Sequence, residues 1–178
     1  MIKTLRKAKA HYKTITKHRH IVMRNCRRCG IPRQGLLHDL SKYSPIEFIP
    51  GIKYYQGTRS PNVAERIEKG YSSAWMHHKG RNKHHYEYWF DNDPKTHTLA
   101  PVKMPTRYVI EMFCDRIAAS KVYKADNYTD STPLEYFTLH DYKTAMHPET
   151  RELLLKLLTM LAEKGERKTF RYARHLKK

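Results

Sequence analysis

The sequence predicts an all-α fold in one domain spanning residues 1–178, and three observations carry that expectation. Apolar residues recur every three or four positions through most of the chain, which is the period of a helix with one buried face. No run alternates apolar and polar residues convincingly enough to predict a half-buried strand. Pro and Gly stand at the ends of the periodic segments, where they start and stop helices. At 178 residues the chain is long enough for a real hydrophobic core, and 13 Tyr, 5 Phe and 2 Trp supply much of the burial that a 39% hydrophobic composition leaves short.

The elements follow in order. A long basic helix is expected over residues 2–29, with Ile15, His18, Val22, Cys26 and Cys29 on one face. Gly30-Ile31-Pro32 ends it, and a short helix near 34–42 follows, its Leu36-Leu37 step directed into the core. Ser44-Pro45-Ile46-Glu47 reads as a capping box that opens another helix. Ser60-Pro61 starts a helix that reaches Gly70, and Tyr71 to His78 forms a further helical piece that Gly80 interrupts. Residues His84 to Phe90 resume a helical pattern, and Asp91 to Lys103 read as a loop. Pro105 to Lys124 is a helix with Val109, Met112, Phe113, Ile117 and Ala118 inward, and Thr132-Pro133-Leu134-Glu135 caps the next. The last clear helix is Pro148 to Lys164, with Leu153, Leu154, Leu157, Leu158 and Leu161 on one side and Gly165 as its stop. A basic tail, 166–178, completes the chain.

Charge is the second signal. The formal net charge is +18, and it is concentrated at the ends. Residues 1–38 hold eleven Lys or Arg with no Asp or Glu, and 163–178 hold seven Lys or Arg against two Glu. Polyanions are the partners this implies: nucleotides, nucleic acid or acidic surfaces. No apolar run approaches a membrane span, so no membrane partner is expected. The N-terminus shows no secretory pattern, and three cysteines make no disulfide framework, so a cytoplasmic location is expected. Cys26 and Cys29 have zinc-finger spacing, yet no second pair completes four ligands, and helical packing explains them more simply.

Histidine and aspartate carry the chemistry. His38-Asp39 follows the Leu36-Leu37 step, and burying both groups is costly unless something satisfies them. A divalent ion does so, with further ligands from elsewhere in the chain. Upstream stand His18 and His20; His18 shares its face with Ile15, Val22 and Cys26, which favours it over His20. Downstream, the pairs His77-His78 and His84-His85 flank a Lys/Arg-rich stretch, with His78 beside Tyr71, Ala74 and Trp75 and His85 beside Tyr88 and Trp89. Their neighbours His77 and His84 serve as possible proton carriers, phosphate donors or further ligands. Asp115 sits on the apolar face of its helix with Met112, Ala118 and Ala119, and either Arg116 or a metal is its partner.

Taken together, these residues resemble the HD-domain superfamily of metal-dependent phosphohydrolases. His18-Arg19-His20-Ile21-Val22 resembles the family's His-x-x-x-Val opening, and Leu36-Leu37-His38-Asp39-Leu40-Ser41-Lys42 its Leu-Leu-His-Asp-Ile-Gly-Lys core. Phe113-Cys114-Asp115-Arg116-Ile117-Ala118 is similar to its final Asp helix, and the His pairs resemble the extra histidines of two-metal members. Two departures stand out: only 20 residues separate His18 from His38, and Ser41 replaces the usual Gly. The chain also resembles a group of small bacterial and phage-encoded HD-like proteins, which implies no substrate.

The resemblance implies a single HD-like helical domain holding one or two divalent ions, with Mn, Fe, Co, Ni or Zn suited to mixed His and carboxylate ligands. It implies His18, His38, Asp39 and Asp115 as one ligand set and His78 and His85 as ligands to a second ion, with Asp39 also orienting water. Lys42, Arg81, Lys83, Arg116 and Lys121 are candidates to meet substrate phosphate, Lys42 and Asp39 being the catalytic pair. Tyr71, Tyr86, Tyr88 and Trp89 are candidates to stack on a base. The expected activity is hydrolysis of a nucleotide or other small phosphate ester. Two other readings stand beside it: a basic protein that binds nucleic acid through its N-terminal helix around a structural or inactive site, and a di-iron oxygenase on the same scaffold.

Overall fold

A computed structural model describes residues 2–139 and 145–176. Residues 177 and 178 of the expected basic tail lie outside the described residues. Helix α1 (Ile2–Arg28) runs about 40 Å, from 27 residues at the usual helical rise. It is followed by α2 (Pro32–Leu37), α3 (Pro45–Lys53), α4 (Pro61–Lys69), α5 (Ser73–Arg81), α6 (Thr106–Lys124), α7 (Thr132–Thr138) and α8 (Pro148–Leu176). Short 3-10 turns lie at Leu40–Tyr43, Tyr86–Tyr88 and Ala125–Asn127. The fold is all-α, apart from a two-stranded antiparallel ribbon of β1 (Phe90–Asn92) and β2 (Leu99–Pro101).

Helix α6 is the central element. It buries Val109, Ile110, Met112, Phe113, Cys114, Ile117 and Ala118. Helix α1 packs along one side with Val22 and Cys26, and α8 along another with Leu154, Leu157, Leu158 and Leu161. Phe113 and Phe170 meet edge to face at 6.1 Å between ring centres. Beyond Gly165, whose φ of 72° breaks α8, helix continues to Leu176 and adds Phe170 and Ala173 to the core. The break is fixed by Glu166, which pairs with both Arg28 of α1 and Lys121 of α6.

Several expectations need correction. Leu36 and Leu37 are 60% and 53% exposed, so this step faces solvent, and α2 is seated on α1 instead through Gly35. A Cβ at Gly35 would lie 2.7 Å from Cys26 Cβ and 2.9 Å from Met23 Cα, so the two backbones approach closer than any side chain permits. The expected helix over 34–42 is divided: α2 stops at Leu37, Asp39 is left-handed with φ 53°, and the 3-10 turn follows. Ser44 precedes α3 without a side-chain capping bond. Gly80 lies inside α5, and of residues 84–90 only Tyr86–Tyr88 form a 3-10 turn, ahead of β1. The loop over 91–103 contains most of the ribbon.

Helix α5 carries two of the histidines, and a buried carboxylate fixes its start. Glu65 of α4, 1% exposed, accepts hydrogen bonds from Ser72 Oγ and Ser73 Oγ at 2.7 Å each and pairs with Lys69 at 3.0 Å. Burial alone would raise its pKa, but these bonds outweigh it and lower it from 4.5 to about 2. Glu65→Ala is expected to lose about 2–3 kcal/mol of unfolding free energy at pH 7, by urea titration. Because the folded pKa is depressed, that advantage of the wild type is complete above pH 4.5 and fades as pH falls toward 2, so the two proteins converge in acid.

Candidate metal centre

Four elements bring the site together. Helix α1 supplies His18 from its buried face, while the turn after α2 supplies His38 and Asp39. Helix α5 and the segment after it supply His78, His84 and His85, and α6 supplies Glu111 and Asp115. Arg19 fixes the turn: its Nε donates to the His38 carbonyl at 2.7 Å and its Nη2 to the Leu36 carbonyl at 3.0 Å. These bonds satisfy carbonyls at the end of α2 that have no helical partner. The left-handed backbone at Asp39, a conformation Asp tolerates better than most residues, then turns its carboxylate inward.

Asp39 is the centre. Its Oδ1 lies 3.2 Å from His78 Nε2 and 3.4 Å from His84 Nε2. Its Oδ2 lies 3.3 Å from His38 Nε2, 3.8 Å from His18 Nε2 and 2.7 Å from Lys42 Nζ. Asp115 Oδ1 is 2.9 Å from His18 Nε2 and 3.6 Å from His38 Nε2. Two groups of donor atoms result, each with its atoms within 4.8 Å of one another: His18, His38, Asp39 and Asp115, and Asp39, His78, His84 and His85. Asp39 belongs to both.

A second layer of carboxylates holds the rings. Glu111 Oε1 lies 2.9 Å from His38 Nδ1 and 3.2 Å from His84 Nδ1. Glu47 holds His78 Nδ1 through one oxygen at 2.8 Å and His77 Nδ1 through the other at 2.7 Å. Burial would favour the protonated acids, but the histidines reverse this and lower the pKa of both glutamates, so the oxygens accept and the Nδ1 atoms donate. His38, His78 and His84 therefore turn their Nε2 atoms toward Asp39. His38, His84 and Glu111 also form a compact triplet, but there Glu111 takes the outer nitrogens, as a carboxylate supporting ligands does.

Five of the inner atoms lack hydrogen-bond partners. Both Asp39 oxygens and the Nε2 atoms of His78, His84 and His85 are buried without hydrogen-bond geometry to any neighbour among the described residues. Burial should lower the His38 pKa, yet Asp39, Asp115 and Glu111 raise it well above 6.5. Burial opposes ionisation of Asp39 and Asp115 too, and the surrounding histidines, with Lys42 at Asp39, hold both carboxyls well below their ordinary range. His85 goes the other way: burial and the neighbouring His84 and His78 keep its ring neutral. The interior of the cluster thus attracts positive charge and offers lone pairs to receive it.

The other expected site residues fall as follows. His20 is exposed on the far side of α1. His77 stays outside the inner cluster on Glu47, whereas His84, expected as a proton carrier, phosphate donor or further ligand, stands among the donor atoms. Lys42 pairs with Asp39, but Lys121 pairs with Glu166, and Arg116 lies over the Phe137 ring at 5.4 Å. Lys83 lies over Tyr88 at 5.6 Å, Arg81 is exposed, and Trp89 packs on Tyr88 and Tyr108. Sequence reasoning missed Glu47 and Glu111. The available signal for Glu111 was its position four residues before Asp115, which puts both on one helix face.

Fold and cluster together define an all-helical protein built around a buried histidine–carboxylate centre. The chain belongs to a family of unknown function, DUF5662, whose family model matches residues 7–160 and so spans every residue of the cluster. Neither the curated proteins nor the solved structures contain a match.

Proposed function

We propose that this protein is a metal-dependent phosphohydrolase acting on a nucleotide or another small phosphate ester. The observation that carries the reading is the shared Asp39 carboxylate, with histidine Nε2 atoms near both oxygens and Lys42 beside one, none of them in hydrogen-bond geometry to it. The residues fit two divalent ions, one held by His18, His38, Asp39 and Asp115 and the other by Asp39, His78, His84 and His85. Bound there, such ions supply Lewis-acid activation of water and neutralise charge on a phosphoryl group. The HD-type resemblance of His18, His38-Asp39 and Asp115 points to the same chemistry.

The chain's own groups divide the remaining work. Glu111 and Glu47 keep the Nδ1 protons of His38, His84 and His78 in place, which fixes the ring orientations. Lys42 stands at the accessible side of the cluster, its side chain 28% exposed, next to the 19% exposed Asp115. Burial weakens its hold on a proton, but Asp39 and Asp115 more than compensate, so it remains an ammonium. Its charge is placed to meet a phosphate oxygen as charge develops there. In the reaction a water oxygen bonds to phosphorus, the ester P–O bond breaks, and the leaving alcohol takes a proton.

Protein purified without chelator is expected to carry one or two equivalents of transition metal by elemental analysis. Asp39→Ala should lose both, and Glu111→Gln should weaken metal affinity about 10–100-fold while leaving the ligands in place. Metal must displace the proton that His38 holds, so apparent affinity should fall in acid and still climb above pH 6.5. In a screen of nucleotides and phosphate esters, Lys42→Met should retain metal and lower kcat/KM by about 10²–10³-fold. Metal-replete protein that releases no phosphate but consumes oxygen when loaded with iron would replace this reading with the oxygenase.

A further inference from the structure

The outer face of α1 is a second candidate site, independent of the metal reading. Arg6, Lys9, Lys13, Lys17, His20, Arg24 and Arg27 recur at intervals of three or four residues and are all exposed. At 100° per residue they project opposite His11, Ile15, His18 and Val22, the buried face of the same helix. The stripe runs about 30 Å, and no acidic residue interrupts it. Among the described residues, no hydrogen bond, ion pair or ring contact engages the side chains of its lysines and arginines. Other basic residues of α1 have structural duties: Arg19 holds the His38 turn and Arg28 pairs with Glu166.

An aromatic platform borders the stripe. Tyr12 is 51% exposed and lies beside Lys13 and Lys17 along an open recess of about 570 Å³ that extends to His20 and Arg24. Its ring is propped edge-on by Tyr43 at 5.9 Å. Tyr43 is in turn fixed by a hydroxyl contact of 3.0 Å with Thr16 and by the Arg19 guanidinium 5.3 Å from its ring centre. A rigid, exposed aromatic ring beside unpaired cations in a row is the arrangement that tracks a phosphate backbone and stacks a base.

We infer that α1 binds single-stranded nucleic acid along this stripe, with Lys13, Lys17 and Arg24 on phosphates and Tyr12 stacked on a base. A duplex keeps its bases paired and offers Tyr12 nothing to stack on, which favours the single strand. Fluorescence anisotropy with an oligothymidine about 15 nucleotides long tests the assignment, beside a duplex of equal length and vesicles rich in phosphatidylserine. Wild type should bind the oligothymidine more tightly than either, and log K should fall linearly with log salt. The triple variant Lys13→Gln, Lys17→Gln, Arg24→Gln should bind at least about tenfold more weakly and lower the salt slope by about two. Tyr12→Ala should lose at least about fivefold with little change in that slope. All four side chains are exposed, and circular dichroism with retained metal content checks that each variant folds. No binding at about 0.05 M salt, equal binding by the triple variant, or equal or tighter binding to duplex or vesicles would overturn the inference.

Discussion

A carboxylate that is 1% exposed cannot remain ionised in a protein interior without compensation, and the compensation of Asp39 organises this molecule. Its two oxygens collect groups from α1, from the turn after α2, from α5 with the segment that follows it, and from Lys42. Those elements are separated in sequence, so the demand of one side chain draws together segments from His18 to His84. The features around it serve that closure. Gly35 allows α2 to lie against α1, Arg19 holds the turn, and Glu65 fixes the start of α5.

The outer carboxylates add a second constraint. Glu111 receives one nitrogen from His38 and one from His84, which belong to different donor groups. The two groups are therefore joined twice, through Asp39 on the inside and through Glu111 on the outside. Two ions held as proposed would rest on rings that share both carboxylates. Glu47 does similar work at the edge, where it ties His78 to the partly accessible His77.

Much of this was legible in the sequence, for identifiable reasons. Helices α1 and α8 bury an apolar face and α4 starts after Ser60-Pro61 and ends at Gly70, so period reveals the first two and punctuation the third. His18, His38, Asp39, His78, His85 and Asp115 come together, although the Leu36-Leu37 step expected to carry His38-Asp39 inward faces solvent. What escaped notice depends on geometry that a helical period does not encode. Glu47 and Glu111 meet ring nitrogens 31 and 73 residues away, which an argument from helix faces does not reach. The left-handed Asp39 interrupts a pattern that otherwise reads as continuous helix. The ribbon pairs strands of three residues each with no buried side chain, which leaves no alternation to detect. Gly80 has open space where a side chain would stand, so nothing at that position obliges the helix to stop.

Helix α1 presents its two faces to different tasks, His18 toward the centre and the basic row toward solvent. Both tasks are written in one reading frame of a continuous helix, where each residue advances the face by 100°. A single inserted residue between Ile15 and Lys17 would rotate everything after it by that angle relative to everything before it. His18 would leave the cluster, Lys17 would take its place in the interior, and the outer row would be broken into two misaligned halves. By contrast, extra residues in the exposed turn at Gly57 would disturb neither. The chain should therefore tolerate changes of length in its connections and hardly any within the middle of its first helix.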